Sequence, residues 1–350
     1  MRVFAIIFGG MLISSCGFHI QPKKIIKAEA LVIDRTDHED QTPASICPTC
    51  PRHMRTSQDV YHKASKVPKL EKHLDGLNSM RISGSAQYSQ AQGRTFLTNL
   101  KNSIFLNYAF KDAFVPPINI NRIIVVDVRE ETHAYLNYDN PLSPANKFEW
   151  LSIRNSGYYL DDNAQIHPNQ INRGLTPKQI KENELDFIKT LNFFGGQYVP
   201  LRYKDVGTHN TTGVDVLVNP YNHPVAISEA ELLANLDEEI HGVDIQYARF
   251  YVTDGKIPDE KTTNDFYQLL DSLSHTDWIH VHCLGGSGRT TTFWMLYDMY
   301  TNQDTIRTQK IPLEAVLLRN DFFNGKEFGE DIAEEGDVYQ YLKTQWENII

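Results

Sequence analysis

The sequence contains little cysteine and no excess of positive charge. Four of its 350 residues are cysteine, and 34 Lys and Arg are outnumbered by 44 Asp and Glu, which gives a formal net charge of -10. A chain of this sign has no overall attraction for nucleic acid or for an anionic membrane surface, so we expect no nucleic-acid partner. Any anionic ligand must therefore be held by a local group of basic residues. The hydrophobic content of 41% is sufficient for a real core.

The apolar run at the N-terminus is too short to span a bilayer as a stable helix. It extends from Val3 to Ile13 after the basic Arg2, and this pattern predicts a secretory signal over residues 1–15. The run ends in Ile-Ser-Ser-Cys16, which resembles the bacterial lipobox and implies cleavage before Cys16 and a lipid on its thiol. An ordinary signal peptide with an incidental cysteine is the alternative. We expect a lipid-anchored protein of the bacterial cell envelope, periplasmic or surface-exposed, that meets the membrane only through this anchor; the alternative is a secreted protein.

The remaining cysteines have different environments. Cys47 and Cys50 form a Cys-Pro-Thr-Cys pair that, with His53, could be half of a zinc site, although zinc usually takes four ligands and no second cluster follows. A local disulfide is favoured in an exported protein, and we expect no metal and no cofactor. Cys283 is the only cysteine after residue 50, so it has no evident partner and can remain a free thiol.

The pattern along the chain predicts an α/β fold with a central, mainly parallel sheet flanked by helices. Residues 16–50 are polar and aperiodic and are interpreted as a tether, and residues 51–350 as one domain. Strands are predicted at Ile123–Val128, Ile245–Val252 and Trp278–His282, with helical spacing after the last two. Turn-rich residues from about 137 to 240 indicate a small β-rich insertion. Asp254 and Cys283 follow the ends of parallel strands and should therefore lie at the same rim.

The segment from His282 to Thr290, His-Cys-Leu-Gly-Gly-Ser-Gly-Arg-Thr, has the composition of a phosphate-binding loop between a strand and a helix. Attack on a phosphate monoester needs a strong nucleophile, and the helix start and a guanidinium favour a thiolate at Cys283. Glycines let backbone N–H groups converge on the phosphate, and Arg289 supplies a bidentate fork. The predicted phosphate-binding residues are Leu284, Gly285, Gly286, Ser287, Gly288 and Arg289.

The segment His282–Met299 resembles the active-site region of the protein-tyrosine-phosphatase superfamily, and most closely that of the bacterial protein-tyrosine-phosphatase-like cysteine phytases. Further similar segments are Arg55–Ser57, Ile82–Gln87, Val125–His133, Tyr247–Asp254 and Leu313–Phe323, so the resemblance covers about residues 51 to 325 with an interruption over 137 to 240. It implies a protein-tyrosine-phosphatase-like fold. It also implies a phosphomonoester hydrolase that removes phosphate from phytate or lower inositol polyphosphates through a cysteinyl-phosphate intermediate.

The resemblance assigns roles to five residues of the loop and its surroundings. Cys283 would be the nucleophile, Arg289 the phosphate clamp, and Asp254 the acid that protonates the leaving oxygen and later activates water. Thr290 would donate a hydrogen bond to the departing thiolate, and His282 would order the loop. The residues themselves agree on Asp254, which follows a strand and precedes Gly255 and Pro258. A rival acid, Asp259, is better interpreted as the cap of the next helix.

A phytate site needs several cations besides Arg289. The resemblance implies Arg55 and Asp127 in the pocket, and a basic position for which Lys204 is favoured over Arg202. Lys256 and Arg319 could contribute to the same pocket.

The chain also departs from the family pattern. Gly255, Lys256 and Ile257 stand where relatives carry histidine and tryptophan, and Leu284 replaces an acidic residue. A phosphotyrosine or phosphoinositide phosphatase is therefore the alternative. A noncatalytic phosphate-binding protein would need neither a thiol nor a proton donor.

Overall fold

The computed structural model describes residues 33–35, 47, 49–103, 119–138, 149–155, 158–160, 166–168, 172–193, 198–204, 211–217, 225–321 and 336–350. The chain divides into two units, Met1–Ala30 and Leu31–Ile350, and every described residue belongs to the second. Within the described part, none of the helices combines the length and the apolar character needed to cross a membrane. The predicted signal peptide and Cys16 lie outside the described residues.

The strands are β1 Ile33–Arg35, β2 Arg55–Thr56, β3 Ile82–Ser85, β4 Arg122–Asp127, β5 His133–Tyr138, β6 Glu149–Asn155, β7 Tyr158–Leu160, β8 Ile166–Pro168, β9 Tyr198–Lys204, β10 Thr211–Leu217, β11 Ala226–Ile227, β12 Asp244–Arg249 and β13 Asp277–His282. The helices are α1 Ser57–Ala64, α2 Gln90–Lys101, α3 Pro177–Phe193, α4 Glu229–Glu239, α5 Glu260–Asp271, α6 Gly288–Thr301, α7 Gln303–Gln309, α8 Leu313–Asp321 and α9 Asp337–Glu347. Two short 3₁₀ helices, Pro68–His73 and Leu77–Ser79, follow α1.

The first sheet has the order β12-β4-β13-β3-β2 and is parallel except for β2 at its edge. Residues of β4 alternate between two apolar clusters because successive side chains of a strand point to opposite faces. Ile124 and Val126 pack with residues of α5, α6 and α8, whereas Ile123 and Val125 pack with residues of α2 and α4. Helices thus cover both faces of a mainly parallel sheet, which confirms the predicted fold class.

The register of the first sheet brings four strand ends together. His282 at the end of β13 pairs with Asp127 of β4 on one side and with Ser85 of β3 on the other, and Asp127 also pairs with Arg249 of β12. In parallel sheets, ligands bind beyond the carboxyl ends of the strands. The helix after β13, α6, is buried continuously from Arg289 to Met299, so it is fixed on all sides.

A second sheet, with the order β10-β9-β1-β6-β5-β11, is built mainly from the predicted β-rich insertion. Its apolar face includes Leu136 and Ile153 and packs against Phe187 and Leu191 of α3.

The prediction of a tether over residues 16–50 is wrong for residues 33–35, because β1 pairs with β6 and β9 through backbone groups. This strand is only three residues long, which is too short for an alternating pattern to identify it in the sequence.

The end of the predicted tether is also part of the fold. Cys47 and Cys50 form a disulfide, as favoured from the sequence, and both are buried in the cluster that contains α2 and α4. The segment that follows continues into the first sheet, where the Ala86 N–H donates to the carbonyl of Arg52 at 2.8 Å. The disulfide therefore holds the chain directly before β2.

Candidate active site

The loop between β13 and α6 is folded tightly around the Cys283 sulfur. The Gly286 N–H donates to Cys283 Sγ at 3.2 Å, and Cys283 is only 3% exposed. Gly286 has a φ of +72°, and a Cβ at this position would lie 2.3 Å from the backbone nitrogen of Ala86. Only glycine satisfies both the left-handed backbone and this close approach. Cys283 is free, as predicted.

Arg289 is held at the rim by an acidic partner. Its two terminal nitrogens donate to the Glu131 carboxylate at 2.5 and 2.6 Å, and one of them also donates to the Val252 carbonyl at 2.9 Å. Burial alone would raise the pKa of Glu131, but the charge and hydrogen bonds of Arg289 outweigh it and lower this pKa. Arg289 Nε is buried and donates to no residue that the structure describes. The guanidinium is thus fixed in place with donor capacity left for an anion.

Asp254 lies beside this guanidinium on the loop between β12 and α5. Its carboxylate is 3.2 Å from Arg289, and its side chain is 47% exposed. The loop turns here, because the Lys256 N–H donates to the Thr253 carbonyl and Gly255 has a φ of +69°. A Cβ at Gly255 would meet no atom within 4 Å. An exposed acid on an unsupported turn can reach both a bound substrate and solvent.

Asp259 is the cap of α5, as interpreted from the sequence. It accepts a hydrogen bond from the Thr262 N–H at 2.7 Å. Hydrogen bonds from the Thr262 side chain and backbone lower the pKa of Asp259. Its carboxylate serves the helix, so the structure separates the two acids by their environment.

His282 and Thr290 flank the loop and are fully buried. The Thr290 Oγ1 forms no hydrogen bond with the described residues. His282 Nε2 lies 3.0 Å from the Oε1 of Glu229, the first residue of α4. The other oxygen of Glu229 accepts from Arg129 at 2.8 Å and lies 3.1 Å from His133 Nε2. His282 is therefore the inner end of a buried network of charged groups.

Asp127 belongs to the same network. Its carboxylate accepts from Arg129 Nε at 2.7 Å and from the Tyr247 hydroxyl at 3.1 Å, and it lies 3.3 Å from His133 and 3.4 Å from Arg249. Asp127 is completely buried. Its prediction as a pocket-lining residue is wrong, because every side of the carboxylate is engaged with these four groups.

Asp127, Glu229 and His282 also present ligand atoms within 4.8 Å of one another. Because Arg129 and His133 already occupy the two carboxylates, this arrangement is an ion-pair network.

Arg55 is likewise not a surface cation. It is 1% exposed and donates to the carbonyls of Gly286 at 2.7 Å and His53 at 2.9 Å, so it supports the loop from within. Burial lowers its pKa to about 9, against the opposing influence of the nearby Cys283 sulfur. The guanidinium therefore remains protonated at neutral pH. Arg55 was predicted to line the substrate pocket, but in the structure it contacts the phosphate-binding loop.

Arg319 is wrong as a substrate residue for the same physical reason. It is completely buried and forms a two-pronged ion pair with Asp298 of α6, with nitrogen-to-oxygen distances of 2.8 and 2.5 Å. It also donates to the carbonyl of His73 at 2.8 Å. Arg319 therefore ties α8 and the first 3₁₀ helix to α6.

The remaining predicted cations are Lys256 and Lys204. Lys256 is exposed on the acid loop, two residues after Asp254. Lys204 is the last residue of β9, and its side chain, like that of Arg202, lies outside the described part of the structure. Both stay predictions.

Sequence reasoning missed Glu131 and Glu229. Glu131 lies in the family-like segment Val125–His133, where two adjacent glutamates precede a threonine, but no rule relates that pair to a distant arginine. Glu229 follows Ser228, and the capping role belongs to Glu231. A second glutamate in the first turn that the cap does not need is the one available signal.

Comparisons with known proteins identify the family of the chain. The model of the PTP-like phytase family, whose description reads "Inositol hexakisphosphate", matches residues 126–301. This range includes Asp254, Cys283 and Arg289. The chain is 25% identical over 201 residues to the effector protein hopD2 of Pseudomonas syringae pv. tomato, which covers 57% of this chain and 36% of that protein. The chain thus spans about a third of the length of this curated relative.

Solved structures show the same fold. A tandemly repeated protein tyrosine phosphatase like phytase from Mitsuokella multacida matches with a TM-score of 0.61 and 17% identity over 91% of this chain and 46% of its own. The PTP-like myo-inositol phosphatase of that organism, solved with myo-inositol-(1,3,4,5)-tetrakisphosphate, has a TM-score of 0.60 at 17% identity over the same shares. A PTP-like phytase from Bdellovibrio bacteriovorus matches with a TM-score of 0.53 and 18% identity, and the match covers 92% of this chain and 87% of that chain. With half of its residues matched by the family model, the chain belongs to the PTP-like phytase family, whose members are cysteine-dependent phosphatases.

Proposed function

We propose that this chain hydrolyses phosphomonoesters of phytate or lower inositol polyphosphates through a cysteinyl-phosphate intermediate. One observation carries the proposal: Cys283 begins a loop whose Gly286 N–H donates to its sulfur, and that loop ends in Arg289, 3.2 Å from the exposed carboxylate of Asp254. A nucleophile, an anion clamp and an acid therefore share one rim. The family match supports the inositol polyphosphate substrate class.

In the first step the Cys283 thiolate attacks phosphorus. The S–P bond forms as the bond from phosphorus to the ester oxygen breaks, and Asp254 gives its proton to that oxygen. The loop N–H groups and the Arg289 guanidinium stabilise the charge on the equatorial oxygens. Glu131 contributes by holding the guanidinium on its far side, so that Arg289 needs no rearrangement when phosphate arrives.

In the second step water attacks the cysteinyl phosphate. The Asp254 carboxylate, now deprotonated, takes a proton from that water as the O–P bond forms and the S–P bond breaks. The departing thiolate accepts a hydrogen bond from the Gly286 N–H, and the buried Thr290 hydroxyl, which has no partner among the described residues, turns to donate a second one. Inorganic phosphate leaves, and Asp254 is again protonated for the next cycle.

The test compares two substrates at equal concentration. Phosphate release from phytate should exceed release from a phosphotyrosine peptide, and Cys283→Ser should abolish both, because the serine hydroxyl is not ionised at neutral pH. Faster release from the peptide would overturn the phytase proposal while leaving the cysteine mechanism intact. Residual turnover in Cys283→Ser would overturn the mechanism itself.

A phosphotyrosine or phosphoinositide phosphatase is the second candidate, and one observation favours it. Three of the five residues predicted to contact a highly charged substrate, Arg55, Asp127 and Arg319, are buried and engaged elsewhere. Among those five, Lys256 is the exposed cation whose side chain the structure describes. A site with fewer cations suits a substrate with a single phosphate.

We also propose that the protein is anchored in the cell envelope through a lipid on Cys16. The Ile-Ser-Ser-Cys16 sequence supports this, as does the Cys47–Cys50 disulfide, which is typical of an oxidising compartment. Expressed in a bacterium fed with radiolabelled palmitate, the chain should incorporate label and sediment with membranes. Cys16→Ser should be unlabelled and soluble, and label retained in that variant would contradict the proposal.

A further inference from the structure

Glu229 is a buried carboxylate that meets the catalytic strand from outside the first sheet. It is 1% exposed and begins α4, directly after the short strand β11 of the second sheet. Its helix is already capped by Ser228 and Glu231, which exchange side-chain hydrogen bonds with each other's backbone. The Glu229 carboxylate is therefore not needed for the cap.

Each oxygen of Glu229 faces hydrogen-bond donors. Oε2 accepts from Arg129 at 2.8 Å and lies 3.1 Å from His133 Nε2, and Oε1 lies 3.0 Å from His282 Nε2. No aligned hydrogen bond joins these two atoms, but a carboxylate oxygen only accepts, so its approach to 3.0 Å favours a proton on His282 Nε2. The Nδ1 of His282 is buried and pairs with no described residue, so no competing partner among them selects the opposite tautomer.

The surroundings of Glu229 keep it ionised. Burial alone would raise its pKa, but His282, His133 and Arg129 together lower it well below the usual range. The facing acidic groups are Asp127, which Arg129 and Arg249 neutralise, and the Tyr88 hydroxyl, whose pKa burial raises. The charge required for Glu229 to act only as an acceptor is thus built into the site.

We propose that Glu229 is a positioning residue that fixes the Nε2–H tautomer and the ring orientation of His282, and through it the start of the phosphate-binding loop. The inference rests on the proposed cysteine mechanism. His282 immediately precedes Cys283, and its carbonyl accepts from the Val128 N–H at 3.1 Å. The ring also contacts Tyr88, with centroids 5.2 Å apart. Glu229 completes this support, and its position makes the second sheet part of the catalytic structure.

The decisive variant is Glu229→Gln, which keeps shape and removes one acceptor. With the amide oxygen toward Arg129 and His133, the NH₂ group points at His282 Nε2, which must then accept, and the proton moves to Nδ1. Glu231→Gln is the matched control, since it lies two residues along the same helix, is exposed and retains the cap through its amide oxygen. The readouts are ¹⁵N histidine spectra, with His282 assigned through His282→Asn, and kinetics on p-nitrophenyl phosphate.

We expect the wild type and Glu231→Gln to show Nε2–H at His282, and Glu229→Gln to show Nδ1–H. The kcat of Glu229→Gln should fall roughly 10- to 100-fold with KM within about twofold, as for a small displacement of reacting groups. An unchanged tautomer or an unchanged kcat would overturn the inference. If Glu229→Gln does not fold, the wild-type spectrum still decides, because Nδ1–H there contradicts the proposal. The spectra need no turnover, so a failure to hydrolyse phytate affects only the proposed function.

Discussion

At the scale of single residues, Asp254 and Asp259 show how environment separates two similar acids. Both lie in the segment between β12 and α5, five positions apart. Asp259 accepts from the first turn of α5, whereas Asp254 is 47% exposed and faces the Arg289 guanidinium. A carboxylate that must gain and lose a proton in each cycle needs access to substrate and to solvent, and Asp254 has both.

We predict that Asp254→Asn slows turnover of alkyl phosphates far more than turnover of aryl phosphates with good leaving groups. An alkoxide needs a proton from the acid, whereas a nitrophenolate leaves without one. We therefore expect kcat/KM to fall on the order of 100-fold for alkyl phosphates and by less than about tenfold for nitrophenyl phosphates. The measurement is kcat/KM for a series of esters plotted against leaving-group pKa. Asp259→Asn is the control, and it should leave both the fold and that slope unchanged, because its amide oxygen can still cap α5. Equal losses for all esters in Asp254→Asn would assign the acid role elsewhere.

A site residue could be predicted from the sequence only where the pattern that identifies it lies within a short segment. Cys283, Arg289 and the glycines lie within one short segment whose spacing encodes the loop, so the sequence predicts their juxtaposition. Glu131 lies 158 positions before its partner Arg289, and Glu229 lies 53 positions before its partner His282. Only the fold brings these glutamates to the site. Arg55 and Arg319 look like surface cations in sequence because burial of a guanidinium depends on distant partners.

At the scale of elements, the loop between β13 and α6 depends on β3 beside it. Gly286 packs directly onto the backbone of Ser85 and Ala86, at the end of β3, and its carbonyl accepts from Arg55 at 2.7 Å. The Gln87 N–H donates to the Leu284 carbonyl at 3.3 Å. The shape of the anion site is therefore set by the adjacent strand as well as by the glycines of the loop.

We predict that Gly286→Ala reduces kcat/KM for any monoester by on the order of 100-fold or more, since the loop must shift when a Cβ meets backbone at 2.3 Å in a left-handed conformation. Gly288→Ala is the comparison. Its added Cβ has no neighbour within 4 Å, so it should lose much less. Steady-state kinetics on p-nitrophenyl phosphate, with circular dichroism to verify folding, measures both. A smaller loss in Gly286→Ala than in Gly288→Ala would contradict the packing argument.

At the scale of the whole molecule, the two sheets share one buried network of charged groups. His133 of β5, in the second sheet, lies 3.3 Å from Asp127 of β4 and 3.1 Å from Glu229. Arg249 of β12 joins Glu184 of α3 at 2.6 Å. The family predicted from the resemblance of sequence segments is confirmed by the family model, and the central sheet is confirmed by its strand pairing. Strand and helix periodicities are local signals, so the sequence could predict this sheet. The joint between the sheets was not predictable, because its members look like ordinary surface charges in sequence.

We predict that this joint makes the stability of the protein depend on acid. Burial would raise the pKa of Asp127, but Arg129, His133 and Arg249 lower it below the normal range. The folded pKa is thus lower than the unfolded value of about 3.9, so the ionised carboxylate stabilises the fold above about pH 4. This contribution is lost as the pH falls from about 4 through the lower folded pKa.

Asp127→Asn should therefore lower the free energy of unfolding by about 3 kcal/mol at pH 7, because it leaves buried cations without their partner. The difference from the wild type should shrink as the pH falls below about 4, since the unfolded wild-type chain then binds a proton at Asp127 that the folded state does not bind. Urea titrations at pH 7, 5, 4 and 3 measure both chains. Asp265→Asn on the exposed face of α5 is the control and should change stability by less than about 0.5 kcal/mol at every pH. A constant difference between Asp127→Asn and the wild type across this range would show that the Asp127 charge does not stabilise the joint.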